Sequence, residues 1–589
     1  MPGIGFKMKS LDLHLNDMII NAGSGLSAWQ ERLTVWGDVN LGERIWQRDG
    51  RVWDETLAPG AQVQELTNRL DWLELPETMA GSVVEINSFT DEVIAAGFSR
   101  VVVLGMGGSS LIAEVWAEIF SVKPGFLSVT ILDSTHPLSV SRIAVSGELA
   151  TTLFLVASKS GGTLETLSFF NYFYHQISEI KDNPGDNFVA LTDPGSKLEA
   201  LAFEKGFRKV FSTPAAVGGR FSALTFFGLL PAAMQGVSIV DILQSAQNIS
   251  KACAADIPAI QNPALKLGGF LGEMVLAGRD KLILVLSPSL RPFAVWIEQL
   301  VAESTGKSGF GLVPVIVNES DDLPLRDHND CVTQDSVYLF LQLENDDNTV
   351  FDQFLTKIQN LREPFVLIKL ADKVGIGQEI WRFEMATAAI GAVLKINPFD
   401  QPDVEAAKIG ARQAMAAWQE NGKLPEPERL VDGDNLKISG SHHFGEVNGL
   451  DSALSSFVEK VQPGDYIAVM VYLPQTESLV QVLQNLRMIL QSRCQVPVTL
   501  GFGPRFLHST GQLYKGDGNH GLFLQINGNL RKDLQLPGSD YSFATLIAAQ
   551  AQGDYEALLS RGRRILALDW KSTEVESELA SIVEKLKSS

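Results

Sequence analysis

The sequence predicts two doubly wound α/β domains with mainly parallel sheets, and helical extensions at the N- and C-termini. Short apolar, β-branched runs alternate with helical segments over most of the chain. Each run is followed closely by Gly, Ser or Asp, which is typical of parallel strands that are buried on both faces. The length of 589 residues is enough for two to four domains with sizeable cores.

Residues 1–75 are predicted to form a helical N-terminal extension. Trp29, Leu33 and Trp36 are three or four residues apart, the spacing of one helix face, and no strand-like run is recognised in this stretch. The first α/β domain is expected over residues 76–255. Its strands are predicted at residues 100–104, 127–132, 152–156 and 188–191.

A second α/β domain is expected over residues 256–540, followed by a helical C-terminal tail over residues 541–589. A polar excursion with several Pro and Gly residues interrupts this domain near residues 420–455. Its strands are predicted at residues 282–286, 312–316, 337–341, 365–368, 466–471 and 496–500.

The uncharged stretch 221–240 is about long enough to span a bilayer. Pro231, Gln235 and Gly236 would make it a poor lipid-facing helix, so it is interpreted as a buried core helix.

The composition excludes several classes of partner. Asp and Glu outnumber Lys and Arg by 69 to 48, a net charge of −21, which argues against nucleic acid and anionic membranes. The three cysteines are too few for a disulfide framework, and the eight histidines are not at metal-ligand spacing with cysteines or carboxylates. Because the N-terminus also lacks an apolar signal segment, we expect a cytoplasmic protein without a metal or another cofactor.

A glycine-rich motif follows the first strand of the first domain. Residues 105–110 read Gly-Met-Gly-Gly-Ser-Ser and open a helix, with Asp133 at the end of the next strand. This invites a dinucleotide-binding interpretation, which fails because Ser110 stands where that fingerprint requires Gly or Ala. Small residues before a helix N-terminus still favour a site for an anion or a hydroxyl.

A hydroxyl-rich motif follows the third strand, where residues 158–163 read Ser-Lys-Ser-Gly-Gly-Thr. Three hydroxyls, the free N–H groups of the next helix's first turn and its positive dipole end predict a phosphate site that needs no metal. Helix capping is the alternative, but it explains one hydroxyl rather than three hydroxyls, two glycines and a lysine together.

The motif at residues 218–222 is Gly-Gly-Arg-Phe-Ser. Its glycines allow a sharp turn close to a ligand, and Arg220 offers a rigid fork of donors to an oxyanion. Taken alone, these five residues could equally be a turn with a surface arginine.

The second domain supplies a carboxylate and further polar side chains. A helix over this stretch would bring Gln299 and Glu303 to one face, one turn apart, although a solvated glutamate is the alternative. An Asn-Pro turn at residues 397–398 would start another helix, with Gln401 and Lys408 about two turns apart on one face.

These motifs, with the runs 303–307 and 399–401, resemble those of the glucose-6-phosphate isomerase family in the same order, over residues 107–408. The run 505–513, Arg-Phe-Leu-His-Ser-Thr-Gly-Gln-Leu, resembles in particular the isomerase half of fused transaldolase and glucose-6-phosphate isomerase proteins. The 75 N-terminal residues are too few for a transaldolase barrel. The resemblance implies two sugar-isomerase-type α/β domains, a homodimer, no cofactor, and interconversion of glucose 6-phosphate and fructose 6-phosphate through an enediol(ate).

The resemblance also implies a role for each residue. Glu303 would be the base that carries a proton between C1 and C2, and Arg220 the cation beside the enediolate oxygen. Lys408 would assist ring opening. The phosphate and the sugar chain would be bound by Gly107, Gly108, Ser109, Ser158, Lys159, Ser160, Thr163, Gln299 and Gln401.

The ring-opening histidine is where the sequence departs from the family pattern. Most glucose-6-phosphate isomerases carry it in a Gly-Gln-His run after the base, and it acts across the dimer interface; no such run occurs here. His328 lies in a polar stretch among carboxylates, whereas His508 follows a predicted strand end, where doubly wound sheets gather their sites. We therefore assign ring opening to His508, with a loop-capping role as the alternative.

Two other functions fit parts of the pattern. A dual phosphoglucose and phosphomannose isomerase would use the same enediol, because the two sugars are epimers at C2. A non-catalytic sugar-phosphate sensor would keep the hydroxyl-rich phosphate site, but it would not need Glu303, Arg220 and Lys408 together.

Overall fold

The computed structural model describes residues 15–145, 148–317, 334–528, 532–572 and 574–588. His328 lies outside these residues. Strands and helices alternate along most of the described chain. The strands are β1 (Asp17–Asn21), β2 (Arg100–Gly105), β3 (Ser128–Leu132), β4 (Thr152–Ala157), β5 (Phe188–Thr192), β6 (Lys209–Ser212), β7 (Lys281–Leu286), β8 (Val313–Ile316), β9 (Ser336–Leu343), β10 (Phe365–Leu370), β11 (Arg429–Asp432), β12 (Leu436–Gly440), β13 (Tyr466–Tyr472), β14 (Val498–Phe502), β15 (Gly521–Gly528) and β16 (Arg564–Trp570).

The helices of the N-terminal half precede and surround the first sheet. They are α1 (Leu26–Asp38), α2 (Leu41–Trp46), α3 (Leu75–Thr78), α4 (Val83–Ala95), α5 (Leu111–Ile119), α6 (Pro137–Val145), α7 (Leu164–Ser178), α8 (Lys197–Glu204), α9 (Phe226–Met234) and α10 (Ile239–Ala252).

The remaining helices belong to the second half of the chain. They are α11 (Pro263–Leu276), α12 (Phe293–Thr305), α13 (Thr349–Leu361), α14 (Ile376–Leu394), α15 (Val404–Asn421), α16 (Leu450–Glu459), α17 (Glu477–Cys494), α18 (Gly511–Gly516), α19 (Phe543–Ser560) and α20 (Val575–Ser588).

The first sheet has the strand order β3-β2-β4-β5-β6, with every pair parallel. After β2 the chain adds β3 on one side and then β4 on the other. The winding therefore reverses between β2 and β4, and doubly wound sheets form their binding crevices at the carboxyl ends of such strands. The predicted strands of this domain are confirmed.

The second sheet has the order β1-β10-β9-β7-β8, in which β1 is an antiparallel edge strand and the other pairs are parallel. The prediction that the N-terminal extension contains no strand is wrong. The run Met18–Ile20 is too short to stand out beside the helical spacing that follows, and its strand is set by pairing with β10.

A third sheet, which the sequence analysis did not separate, has the order β11-β12-β16-β15-β13-β14. The strands predicted at 466–471 and 496–500 belong to it and not to the second sheet. The tail expected to be helical contains β16, which pairs with β12 and β15. The polar excursion contributes β11 and β12, whose half-buried residues do not form an apolar run.

Shared cores join the sheets. The N-terminal extension packs into the core of the first two sheets through Trp29, Leu33 and Trp36, and the indole of Trp53 donates to the Ala388 carbonyl of α14 at 2.8 Å. Another core combines the second sheet with the third, for example Phe340 with Phe523. The mixed α/β class with parallel sheets is therefore confirmed.

The uncharged stretch 221–240 is buried as expected, but it is not one helix. All nine residues of α9 are buried, and α9 ends before Gly236, whose φ of +87° breaks the helix ahead of α10. Among the described residues, no helix combines the length and the apolar character needed to cross a bilayer.

Candidate active site

The glycine-rich loop after β2 contacts three other parts of the chain. They are helix α12, the loop that carries Arg220, and the turn of the third sheet that carries His508. Gly107 has a φ of +53°, and a Cβ added there would lie 2.6 Å from the His508 carbonyl oxygen and 2.9 Å from Gln299 Nε2. A Cβ on Gly108 would lie 2.1 Å from the carbonyl oxygen of Gly219. Only glycine allows these approaches.

Ser109 closes the short 3-10 turn Gly107–Ser109 and is half-buried. The approach of Gly218 and Gly219 to a ligand stays a prediction. Gly218 has an ordinary φ of −66°, and a Cβ on Gly219 would meet no atom within 4 Å.

The hydroxyl-rich loop after β4 lies beside the glycine-rich loop, because β2 and β4 are paired in parallel up to Gly105 and Ala157. The hydroxyls of Ser158 and Thr163 are 2.9 Å apart. Thr163 is the N-cap residue of α7, yet its side chain accepts no hydrogen bond from the helix. The capping interpretation therefore fails for Thr163, and its hydroxyl faces Ser158 instead.

The other two residues of this loop differ in their exposure and partners. Ser160 is exposed, and its Oγ accepts from the Gly162 N–H at 3.3 Å. Lys159 Nζ donates to Asp193 Oδ1 at 2.5 Å and to the Pro214 carbonyl at 3.0 Å. Its ammonium group is thus paired with a carboxylate and a backbone carbonyl.

Glu303 on α12 and Arg220 in the turn Gly219–Phe221 form a buried ion pair. The predicted helix is confirmed as α12, and it carries Gln299 and Glu303 one turn apart. Glu303 Oε1 lies 3.3 Å from Arg220 Nη1. Gln299 Nε2 donates to Glu303 Oε2 at 3.2 Å and to the His508 carbonyl at 2.7 Å. The alternative of a solvated glutamate is wrong, since Glu303 is 9% exposed.

Arg220 is buried rather than on the surface. Its Nε donates to Ser304 Oγ at 2.7 Å, and its Nη2 donates to the carbonyls of Pro398 and Asp400 at 2.6 and 2.9 Å. Nη1 donates to Gln401 Oε1 at 2.9 Å. Burial lowers the pKa of Arg220 below its ordinary value, and the charge of Glu303 opposes this shift.

The turn at residues 397–401 is also held by Lys307, which the sequence analysis did not single out. Lys307 Nζ donates to the Asn397 carbonyl at 2.9 Å, and to the Asp400 carbonyl and carboxylate at 2.6 and 2.8 Å. Burial, assisted by the charge of Arg220, lowers the pKa of Lys307 to about 8. Two cations therefore fix the turn that carries Gln401.

The predicted shared helix face of Gln401 and Lys408 is wrong. The helix α15 begins at Val404, so Gln401 lies in the preceding turn. The Asn-Pro sequence does not start the helix, because carbonyls of this turn face inward to Arg220 and Lys307. Lys408 is exposed on α15, and its positive charge acts on Glu165.

His508 comes from the third sheet and meets a carboxylate of the first. It ends the 3-10 turn Arg505–His508 after β14, and its Nε2 lies 3.1 Å from Glu165 Oε1 in the first turn of α7. Gln550 Nε2 donates to the same Glu165 oxygen at 2.7 Å. Burial favours a higher pKa for Glu165, but His508 and Lys408 together hold it below its ordinary value.

Glu165 was missed because an acidic residue in the first turn of a helix is common, since its charge complements the helix dipole.

A second missed contact attaches the turn that carries His508 to the first sheet and its helices. Arg505 Nε lies 3.2 Å from Asp133 Oδ2, and the Arg505 guanidinium also contacts the Glu114 carboxylate. The carboxylate of Asp133, which was part of the rejected dinucleotide-binding interpretation, therefore lies against Arg505.

Within the described ranges, no group of three or more His, Cys, Asp or Glu residues could hold a metal ion. The structure thus joins Glu303, Arg220, Gln299 and Gln401 through hydrogen bonds, and it brings Gly107, Gly108 and His508 against them. Ser158, Ser160 and Thr163 lie in the neighbouring loop. A carboxylate, a guanidinium and an imidazole beside a hydroxyl-rich loop can move protons on an anionic substrate.

Part of this chain is similar to known proteins. Residues 83–319 match the family model described as phosphoglucose isomerase. The glucose-6-phosphate isomerase of Thermosynechococcus vestitus is 28% identical over 400 residues, covering 60% of this chain and 74% of the relative. The probable glucose-6-phosphate isomerase of Methanococcus maripaludis is 26% identical over 414 residues, covering 64% and 89%.

Two solved structures share the fold. A glucose-6-phosphate isomerase from Chlamydia trachomatis aligns with a TM-score of 0.56 at 19% identity, over 67% of this chain and 86% of the other. A hypothetical protein from Thermus thermophilus aligns with a TM-score of 0.57 at 23% identity, over 68% of this chain and 100% of the other.

At the level of class, these matches are to sugar-phosphate isomerases. More particularly, the family model and the relatives are glucose-6-phosphate isomerases by description, so this is the family that the chain is similar to. The family-model match ends at residue 319, so the third sheet lies outside it.

Proposed function

We propose that this chain interconverts glucose 6-phosphate and fructose 6-phosphate. The observation that carries the proposal is the buried pair Glu303–Arg220, 3.3 Å apart, which Gln299 links to the backbone carbonyl of His508. A binding protein would need the hydroxyl-rich loop but not a desolvated base and cation. The family match and the names of the relatives support the same reaction.

Ring opening is the first step. The C1–O5 bond of the cyclic sugar breaks, the C1 hydroxyl loses a proton and the ring oxygen gains one, which gives the aldehyde. His508 carries this proton, because its imidazole is held by Glu165 and a histidine can act as both a general base and a general acid. Lys408, whose charge acts on Glu165 from α15, assists at the same end of the site.

Proton transfer between the carbons is the second step. Glu303 removes the proton from C2, which leaves an enediolate with its charge on O1. Glu303 then returns the proton to C1 while the proton of the C2 hydroxyl passes to O1, so that the carbonyl moves to C2 and C1 carries a hydroxyl. Arg220 Nη1 lies 3.3 Å from Glu303 Oε1 and 2.9 Å from Gln401 Oε1, so its contact with Glu303 is the longer of the two. This contact is therefore the one that the enediolate oxygen would replace, while Ser304, Pro398 and Asp400 keep the guanidinium in position.

The phosphate binds at the first turn of α7. The hydroxyls of Ser158, Ser160 and Thr163 donate to it together with backbone N–H groups near Lys159, and the helix dipole favours its negative charge. We expect Gly107, Gly108, Ser109, Gln299 and Gln401 to hold the sugar chain between this loop and Glu303.

One chain supplies every group named for the reaction. His508 belongs to the third sheet of the same chain, so ring opening does not require a second subunit. We also propose a cytoplasmic homodimer, as the family resemblance implies. The run 505–513, which includes His508, supports a relation to the isomerase half of the fused transaldolase type.

A coupled assay for fructose 6-phosphate tests the function directly. Glucose 6-phosphate and mannose 6-phosphate are supplied side by side to the purified chain. Turnover of glucose 6-phosphate is expected, and turnover of both would extend the activity to the C2 epimer. A chain that binds glucose 6-phosphate without turning it over would be a sensor rather than an isomerase.

A further inference from the structure

A cavity of about 660 Å³ lies against the third sheet, outside the candidate active site. Its floor comes from the carboxyl-terminal parts of β13, β15 and β16, and its wall from α19 and the segment that follows α15. Pockets that hold small ligands measure about 300–1,000 Å³, and doubly wound sheets bind ligands at the carboxyl ends of their strands. The cavity thus has the size and the position of a ligand site.

Two side-chain amides on the floor have oxygens without a partner in the described part of the chain. Gln525 is 1% exposed, and its Nε2 donates to the Ala551 carbonyl at 2.8 Å, which leaves Oε1 unpartnered. Asn527 Oδ1, two residues further along the same face of β15, is also buried and unpartnered. Buried acceptors are costly unless a donor reaches them.

The charges that line the cavity balance. Lys423, Arg429 and Lys437 face Glu426, Asp533 and Asp569. Glu426 pairs with Arg429 and Lys437 at 3.3 Å, and Asp569 lies 3.9 Å from Arg429. An anion is therefore not favoured here, in contrast to the hydroxyl-rich loop after β4.

The remaining polar atoms and the walls favour a molecule rich in hydroxyls. Hydroxyls both donate and accept, so they satisfy the two amide oxygens as well as the buried Nε of Arg429, which also has no described partner. Trp418 and Tyr555 add aromatic surface to the wall, which suits the apolar faces of sugar rings.

We propose that this cavity is a second ligand site, for a neutral, hydroxyl-rich ring compound of about disaccharide size. Its hydroxyls donate to Gln525 and Asn527 and accept from Arg429.

Calorimetric titration of the full chain with maltose, sucrose and trehalose, and with adenosine as a neutral compound of another class, tests the proposal. Saturating inorganic phosphate is present to occupy the site at α7. Ala548→Trp fills the cavity from an exposed position of α19, and Asn527→Leu removes one acceptor at similar volume. Glu556→Trp, exposed on α19 outside the cavity, is the matched control.

We expect at least one disaccharide to bind, Ala548→Trp to abolish that binding, and Asn527→Leu to weaken it about 3- to 10-fold. Glu556→Trp should bind as the unchanged chain does. If Asn527→Leu fails to fold, Ala548→Trp decides alone. Three results would overturn the proposal: no binding of any disaccharide, binding that Ala548→Trp leaves intact, or binding of adenosine only.

Discussion

His508 and Glu165 come from different sheets and meet with 3.1 Å between Nε2 and Oε1. The contact joins a turn of the third sheet to the first turn of α7, which directly follows the hydroxyl-rich loop. Gln550 donates to the same carboxylate oxygen. The imidazole is therefore oriented within a single chain, by residues that lie far apart in sequence.

Replacement of His508 by Asn should slow turnover of cyclic glucose 6-phosphate by about 10²-fold, because the amide cannot carry the ring-opening proton. Glu165→Gln should cause a smaller loss, because the imidazole remains but loses its ionised partner. Steady-state kinetics of both variants measure this. His520→Asn, at an exposed position, is the control and should have no effect. The assignment fails if His328→Asn alone slows turnover.

Replacement of Ser160 by Asp should raise KM for glucose 6-phosphate by about tenfold or more with a smaller effect on kcat. The new carboxylate would stand where the phosphate binds, and like charges repel. Ser178→Asp, exposed at the other end of α7, carries the same charge change and should leave KM unaltered. An unchanged KM in Ser160→Asp would move the phosphate to the loop of Gly107 and Ser109.

His136 should make the protein acid-sensitive. Burial lowers the pKa of His136 to about 4, from an ordinary 6.5, and its Nδ1 accepts from the Leu138 N–H at 3.1 Å. Between these pH values the unfolded chain binds a proton that the folded chain does not. The stability contributed by His136 is therefore complete above pH 6.5 and is lost as the pH falls towards 4, by up to about 3 kcal/mol.

His136→Asn keeps an acceptor for the Leu138 N–H but cannot titrate. Urea unfolding at a series of pH values should give this variant a flatter dependence between about pH 4 and 6.5 than the unchanged chain. Parallel curves for the two proteins in that range would mean that His136 is already protonated in the folded state.

Replacement of Glu303 by Gln should lower kcat by about 10²-fold or more with little change in phosphate-ligand binding. The amide keeps the shape of the side chain but cannot accept the C2 proton. Glu298→Gln, earlier on the same helix α12, is the matched control for the same chemical change. Near-normal turnover in Glu303→Gln would remove Glu303 as the base.

Much of the fold could be predicted because a buried parallel strand is a short apolar run that is followed in the sequence by small or polar residues. This pattern located β2 to β5, β7 to β10, β13 and β14. It could not separate the third sheet from the second, since strand membership depends on pairing between distant segments. β16 was overlooked because its Leu-Ala-Leu run at residues 566–568 is equally typical of a helix, and β11 and β12 because their residues are mostly half-buried.

The candidate site was predictable where a motif is continuous in sequence. Glu303 and Gln299 share α12, and Ser158 and Thr163 share one loop. Contacts that bridge sheets had no such signal: the anchoring of Arg505 by Asp133 and Glu114, and of His508 by Glu165, depends on how the third sheet packs. The position of Gln401 was predicted wrongly because the helix was assumed to include residue 401. In the structure, Arg220 and Lys307 bind the turn before the helix and keep it non-helical.

Isotope incorporation tests most directly whether Glu303 carries a proton between C1 and C2. Glucose 6-phosphate is converted in deuterium oxide, and the fructose 6-phosphate is analysed by NMR or mass spectrometry. A carboxylate that holds the proton between two steps allows exchange with solvent, so deuterium should appear at C1 of the product. Glu303→Gln should abolish both the exchange and the conversion. Conversion with complete retention of the original hydrogen would contradict proton transfer through Glu303 and would indicate a hydride shift instead.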